Sequence, residues 1–230
     1  MQIQSLRGLL LVALLVASPQ VLTAQQDSLT IGLIGDSTVA DTYGWGPAFA
    51  KRFNNNTQVL NYARNGATLN SLSRRFDELL KQKPDVVLIQ FGHNDQKRYG
   101  TDVYQNHLNS YVQRAREAGS KVIILSSVTR RNFDKEGKIQ LREENLKGNL
   151  ATFAKAAAKV AKEQQLTFID LHSISIEHHN KLGPEATAAY NFSESDTTHF
   201  SEAGANATAD LIITELRSAA PELAPYLLAK

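Results

Sequence analysis

A chain of 230 residues is long enough to bury an ordinary hydrophobic core as a single domain. It carries 25 Lys and Arg against 23 Asp and Glu, a net charge of +2, and the two signs are interspersed. No basic run tracks a phosphate backbone, so nucleic acid is excluded as the expected partner. The absence of cysteine excludes disulfides, thiolate metal sites, a cysteine nucleophile and a lipidated cysteine.

Taken in chain order, residues 1–24 read as a signal peptide. Arg7 supplies the positive start, residues 9–16 a short apolar run, and Ala24 a small residue for cleavage, with Leu22 two positions before it. The run is too short to span a bilayer. The expectation is an exported protein with no membrane anchor, secreted or periplasmic and of bacterial type, whose mature chain starts near Gln25. One domain then covers 25–230.

The first strand is predicted at 29–35 and a brief helix at 47–53. A short second strand follows at 59–62 and a longer helix at 69–81. Residues 85–91, with their Val-Val-Leu-Ile run, form the clearest strand. A helix over 103–118 is stopped by Gly119. The fourth strand lies at 121–126, an Ala/Lys-rich helix at 141–164, and the fifth strand at 166–170. A helix at 203–219, with Ser201 as its N-cap, closes the domain. The strands are nearly continuous apolar runs, the pattern of strands covered on both faces. Alternation with helices predicts an α/β fold with a parallel five-stranded sheet. Functional groups in such sheets gather at the carboxyl ends of the strands.

The first strand ends in Gly35-Asp36-Ser37-Thr38. A serine in the sharp turn after a buried strand presents its hydroxyl to the cleft, although serine is also a common helix N-cap. Its hydroxyl is a poor nucleophile until a base takes the proton. Six histidines are candidates: His93, His107, His172, His178, His179 and His199. Asp196 lies three residues before His199, which in a turn or helix places both on one face, so the carboxylate can fix the imidazole tautomer. Asp170 with His172, two apart, is disfavoured because an extended chain points them opposite ways, and Asp170 reads as a cap. His178 and His179 read as surface residues, and His107 as a helix residue without a chemical role. Gly66, after the second strand, and Asn94, after the third, could donate to an oxyanion, although Asn-Gly and Gly-x-Asn are also ordinary turns.

These segments resemble the four sequence blocks of the SGNH (GDSL-like) hydrolases: Gly35-Asp36-Ser37-Thr38, Gly66, Gly92-His93-Asn94-Asp95 and Asp196-Thr197-Thr198-His199, in that order. The resemblance spans nearly all of 25–230. It implies a three-layer α/β/α sandwich of flavodoxin-like type. It also implies Ser37 as nucleophile, His199 as base, Asp196 as its orienting acid, Gly66 and Asn94 in the oxyanion hole, and no cofactor or metal. The Gly-Asp-Ser-Thr-Val form of the first block, Gly44-Trp45-Gly46 and Phe91-Gly-His-Asn-Asp are most similar to rhamnogalacturonan acetylesterases. That implies an acetylated polysaccharide or oligosaccharide as substrate. Trp45 is read either as a sugar platform or as a packed residue. His93 and Asp95 receive no role, and Tyr43, Arg98 and Tyr190 are substrate contacts by proximity only. Two rivals stand beside this reading. A lipid esterase or thioesterase is disfavoured by the polar stretches 95–106 and 130–138. A non-catalytic glycan or nucleotide binder is disfavoured by the intact Ser, Asp and His and by the missing phosphate-loop lysine.

Overall fold

The computed structural model describes residues 28–141 and 149–229. The predicted signal peptide lies outside them. Five strands form the sheet: β1 (Leu29–Gly35), β2 (Thr57–Asn61), β3 (Val86–Gln90), β4 (Lys121–Leu125) and β5 (Thr167–Ile169). They run parallel in the order β2-β1-β3-β4-β5. The helices are α1 (Gly46–Ala50), α2 (Ser73–Leu80), α3 (Thr101–Glu117), α4 (Leu150–Glu163), α5 (Leu171–Ala188) and α6 (Glu202–Ala219).

The strand sequences explain the layering. Side chains alternate across a strand, so a run that is apolar at every position must be covered twice. Ile31, Leu33, Val86, Leu88, Ile123 and Leu125 face a core shared with Phe49 of α1 and Ile212 and Leu216 of α6. Ile34, Val87, Ile89, Val122 and Ile124 face the opposite core, filled by Phe76 of α2, Tyr111 of α3 and Phe153 of α4. The result is the expected three-layer α/β/α sandwich. In the order 2-1-3-4-5 the chain reverses direction across the sheet between β1 and β3, and a crevice opens there at the carboxyl ends.

Two regions depart from the sequence expectation. Of the helix predicted over 141–164, residues 142–148 lie outside the described residues, and the helix described starts at Leu150. Asn149 has extended backbone and caps it, its side chain accepting the Thr152 N–H at 2.9 Å. Helix α5 was not anticipated, because its sequence has no clean apolar stripe and contains Gly183-Pro184. Gly183 sits at φ +80 and divides the element into two helical pieces. Within it, His179 is 2% exposed and His178 half-buried, so neither is the surface residue expected.

Burial, reinforced by the nearby Arg131, holds the His179 imidazole down at about 3, and burial lowers His172 as well. Above about pH 6.5, the ordinary histidine value, folded and unfolded chains both carry these rings neutral. Below it the unfolded chain binds protons that the fold refuses. Stability is therefore lost as pH falls below about 6.5, for His179 by up to about 1.4 kcal/mol per pH unit down towards 3, and His172 acts in the same direction. Thermal unfolding between pH 7 and 4.5 should show a falling Tm. His179→Asn should flatten that slope whatever its Tm at pH 7, and an unchanged slope would contradict the assignment.

Candidate active site

The turn after β1 is held from two sides. Oδ1 of the fully buried Asp36 accepts the Thr38 N–H at 2.9 Å and the Thr38 hydroxyl at 2.7 Å. Gln90, the last residue of β3, donates its amide to Thr38 Oγ1 at 2.6 Å and accepts the Trp45 indole N–H at 2.9 Å. Trp45 is 1% exposed with its ring edge-on to Phe49, so it is a packed residue that braces the turn and not a sugar platform. Burial raises the Asp36 carboxyl, and the Thr38 hydrogen bonds partly offset this. The network leaves Ser37 at the cleft.

The loops after β2 and β3 are tied together. Gly66 has φ +73 with open space where a Cβ would stand, so its requirement is the left-handed backbone alone. Gly92 is different: a Cβ there would lie 2.5 Å from Ser127 Oγ. Asn94 donates one amide hydrogen to Ala67 O at 3.1 Å, which keeps the other available to the cleft. Asp95, without a role at the sequence level, anchors the Gly66 loop. Its Oδ1 accepts the Leu69 N–H at 3.0 Å and the Tyr99 hydroxyl. Burial raises this carboxyl to about 6, and the nearby Asp36 adds to the effect. His93 walls the cleft, with Nε2 donating to Val128 O at 2.9 Å. Burial, together with Arg130, holds it well below the usual histidine value and therefore neutral.

Asp196 and His199 lie on a hairpin, β6 (Asn191–Ser193) and β7 (Asp196–Phe200). A spacing of three points to a turn or helix, and a regular strand would set residues three apart on opposite faces. The start of β7 is instead wrapped around the carboxylate. Asp196 Oδ1 accepts the N–H groups of Thr198 and His199, each at 3.0 Å. Its Oδ2 lies 2.8 Å from His199 Nδ1, and His199 Nε2 lies 2.8 Å from Ser37 Oγ. Burial pushes Asp196 up, but the hydrogen bonds from His199 and Thr198 outweigh it and hold the carboxyl below its ordinary value. Arg131, 3% exposed and unforeseen, positions this hairpin. It donates to His199 O and to Asn191 Oδ1, and its guanidinium lies 4.8 Å over the Phe200 ring.

The other candidates fall away from the cleft. Asp170 caps α5 and accepts from Ser126 and Ser173. His172 is buried near His93 and is not in the cleft lining. His107 meets the Tyr99 ring edge, and His178 stacks on Tyr190. Tyr190 and Arg98 are not in the cleft lining, whereas Tyr43 is, its ring centroid 5.1 Å from that of His199. The cleft holds about 220 Å³ and brings Ser37, His199, Gly66 and Asn94 to one space. Lys97 and Arg130, which sequence reasoning missed, also line it. Carboxylate, imidazole and hydroxyl in series at 2.8 Å can move a proton off the alcohol as it attacks an acyl carbon.

A parallel α/β/α sandwich with this series at its carboxyl edge defines an ester hydrolase of the acyl-transfer class. The chain belongs to the GDSL-like lipase/acylhydrolase family, whose sequence pattern matches residues 27–207, and it is a carboxylic ester hydrolase. It is 32% identical over 228 residues to the rhamnogalacturonan acetylesterase RhgT of Bacillus subtilis, covering 88% of this chain and 95% of that protein. It is 29% identical to the probable rhamnogalacturonan acetylesterase YesY of the same organism, covering 79% and 89%. The fold is shared with the protein YxiM of B. subtilis at TM-score 0.72 and 24% identity, over 83% of this chain and 56% of that one. It is shared too with the acetylxylan esterase Axe2 of Geobacillus stearothermophilus at TM-score 0.64 and 20% identity, over 83% and 94%.

Proposed function

We propose that this chain is an exported carbohydrate acetylesterase that removes O-acetyl groups from pectic rhamnogalacturonan through an acetyl-enzyme. The observation that carries the chemistry is the pair of 2.8 Å contacts joining Asp196, His199 and Ser37 in one cleft with Gly66 and Asn94. Ser37 Oγ attacks the acetyl carbonyl while His199 Nε2 takes its proton, and Asp196 holds the other ring proton on Nδ1. The oxyanion is met by the N–H groups of Ser37 and Gly66 and by the free amide hydrogen of Asn94. His199 then protonates the departing sugar oxygen. A water deprotonated by the same nitrogen attacks the acetyl-enzyme and releases acetate, restoring Ser37. Asn94→Ala should lower kcat by about 10²–10³ with little change in KM, as expected of a donor used in the transition state.

The similar proteins are named for rhamnogalacturonan and for acetylxylan, and the charge of the cleft supports the pectic one. Its charged rim residues among the described residues are Lys97 and Arg130, with no carboxylate in the lining. Lys97 is exposed, and no hydrogen bond or ion pair among the described residues holds its ammonium. An acetylated galacturonate brings its own carboxylate to such a rim, whereas acetylxylan has a neutral backbone. Lys97→Ala should therefore raise KM for acetylated rhamnogalacturonan on the order of tenfold, more so at low salt, and spare acetylxylan. Acetate release from acetylated rhamnogalacturonan, acetylxylan and a long-chain ester tests the proposal. A preference for the long-chain ester would move it to lipid hydrolysis, and a failure of Ser37 to take a fluorophosphonate label would remove the acetyl-enzyme.

A further inference from the structure

A second cleft of about 350 Å³ lies between α1, the hairpin and the start of α6. Tyr43 lines both clefts, so the two adjoin at that residue. From the carbohydrate reading above, on which this rests, we infer that the second cleft is a sugar subsite for the unit neighbouring the acetylated one, and that this unit is neutral.

Three observations meet there. Phe192 on β6 is 49% exposed, although a large apolar ring left in water forgoes its burial. It is held edge-on to Tyr43 at 4.8 Å, and Tyr43 in turn lies against His199, so the ring is fixed in relation to the base. A rigid exposed aromatic offers a flat face to the C–H side of a sugar ring at little entropic cost. Beneath it, Phe200 is 4% exposed and forms an apolar floor. The rim is polar, with the carboxylates of Asp41 and Glu202 against the ammonium of Lys51 among the described residues. An apolar floor with a few convergent polar groups is the composition of a small-ligand site and not of a lipid channel.

The charges separate the two clefts. The one at Ser37 has Lys97 and Arg130 and no carboxylate in its described lining. The one at Phe192 has two carboxylates to one cation in its described lining. A uronate is attracted to the first and repelled from the second. A backbone in which uronate and neutral sugar alternate satisfies both clefts at once. A homopolymer of uronates satisfies only the first.

The test compares kcat/KM on acetylated rhamnogalacturonan oligosaccharides with that on 4-nitrophenyl acetate, for the wild type, Phe192→Ala and Phe192→Tyr. Phe192→Ala should lower the ratio of the two by about tenfold, through KM on the oligosaccharide, and Phe192→Tyr should restore it. Oligosaccharides too short to carry the neighbouring sugar should show no such dependence on residue 192. Normal release by the wild type with an unchanged ratio in Phe192→Ala overturns the subsite and leaves the carbohydrate reading standing. A wild type that cleaves 4-nitrophenyl acetate but no acetylated oligosaccharide overturns that reading and the subsite with it. A dimer lost in Phe192→Ala, with oligosaccharide kinetics unchanged, assigns the ring to a second copy of the chain and likewise overturns the subsite.

Discussion

Ser37→Ala is expected to lower acetate release by a factor on the order of 10⁶, leaving a folded protein. The side chain of Ser37 has one hydrogen-bond partner among the described residues, His199 Nε2 at 2.8 Å, and it stands at the edge of the cleft. The turn around it is held by Asp36, Thr38, Gln90 and Trp45, none of which needs the Ser37 hydroxyl. Circular dichroism and Tm should accordingly stay near wild type while turnover and fluorophosphonate labelling vanish. Because hydroxyl and imidazole act as one unit, His199→Ala should cost about as much, and the double variant little more than either. If the two single losses added in the double variant, the two groups would be acting in separate steps. Near-native rates in Ser37→Ala would remove the nucleophile from the scheme.

Those expectations rest on residues whose signals in the sequence differ in kind. The sheet was readable because burial on both faces forces uninterrupted apolar runs, and 86–89 shows this most plainly, as Val-Val-Leu-Ile. Gly119 and Ser201 marked helix ends because capping is local chemistry. Gly119 takes φ +85, and the Ser201 side chain accepts the Gly204 N–H. The pairing of Asp196 with His199 was legible by spacing, though for another reason than the one the structure provides. A carboxylate wrapped by its own backbone mimics a turn inside a strand. Helix α5 and the hairpin escaped because their burial is decided by distant partners. His179 lies beside Arg131, from a loop nearly fifty positions earlier, and no periodicity in 171–188 records that. Arg131 and Asp95 escaped for the same reason. A buried charged side chain looks like a surface one until its acceptors, the His199 carbonyl in one case and the Leu69 N–H and Tyr99 hydroxyl in the other, are in view. Phe192 shows the reverse: a large apolar residue stands half in water.

Asp196→Asn separates tautomer from geometry, and it should lower kcat by about 10⁴ at pH 7. The wild-type carboxylate does two things. Oδ1 accepts two backbone N–H groups that shape the start of β7, and Oδ2 takes the hydrogen on His199 Nδ1. An asparagine can keep its oxygen on the two N–H groups, so the hairpin and the Tm should survive. Its NH₂ then faces Nδ1 and demands a lone pair there, which moves the ring proton to Nε2. A protonated Nε2 cannot accept from Ser37, so the ring stays in place and no longer works as a base. Asp196→Ala differs in kind, because it also orphans two partly buried N–H groups, at about 1–3 kcal/mol. It should lose stability as well as turnover. The stability difference between Asp196→Ala and wild type should itself shrink in acid. The folded carboxyl is depressed, so its contribution is present above the ordinary value near 3.8 and fades as pH falls through the lower folded value. Were Asp196→Asn to keep kcat within tenfold of wild type, some other group would have to set the imidazole tautomer, and the path from Asp196 to Ser37 would not be the route of the proton.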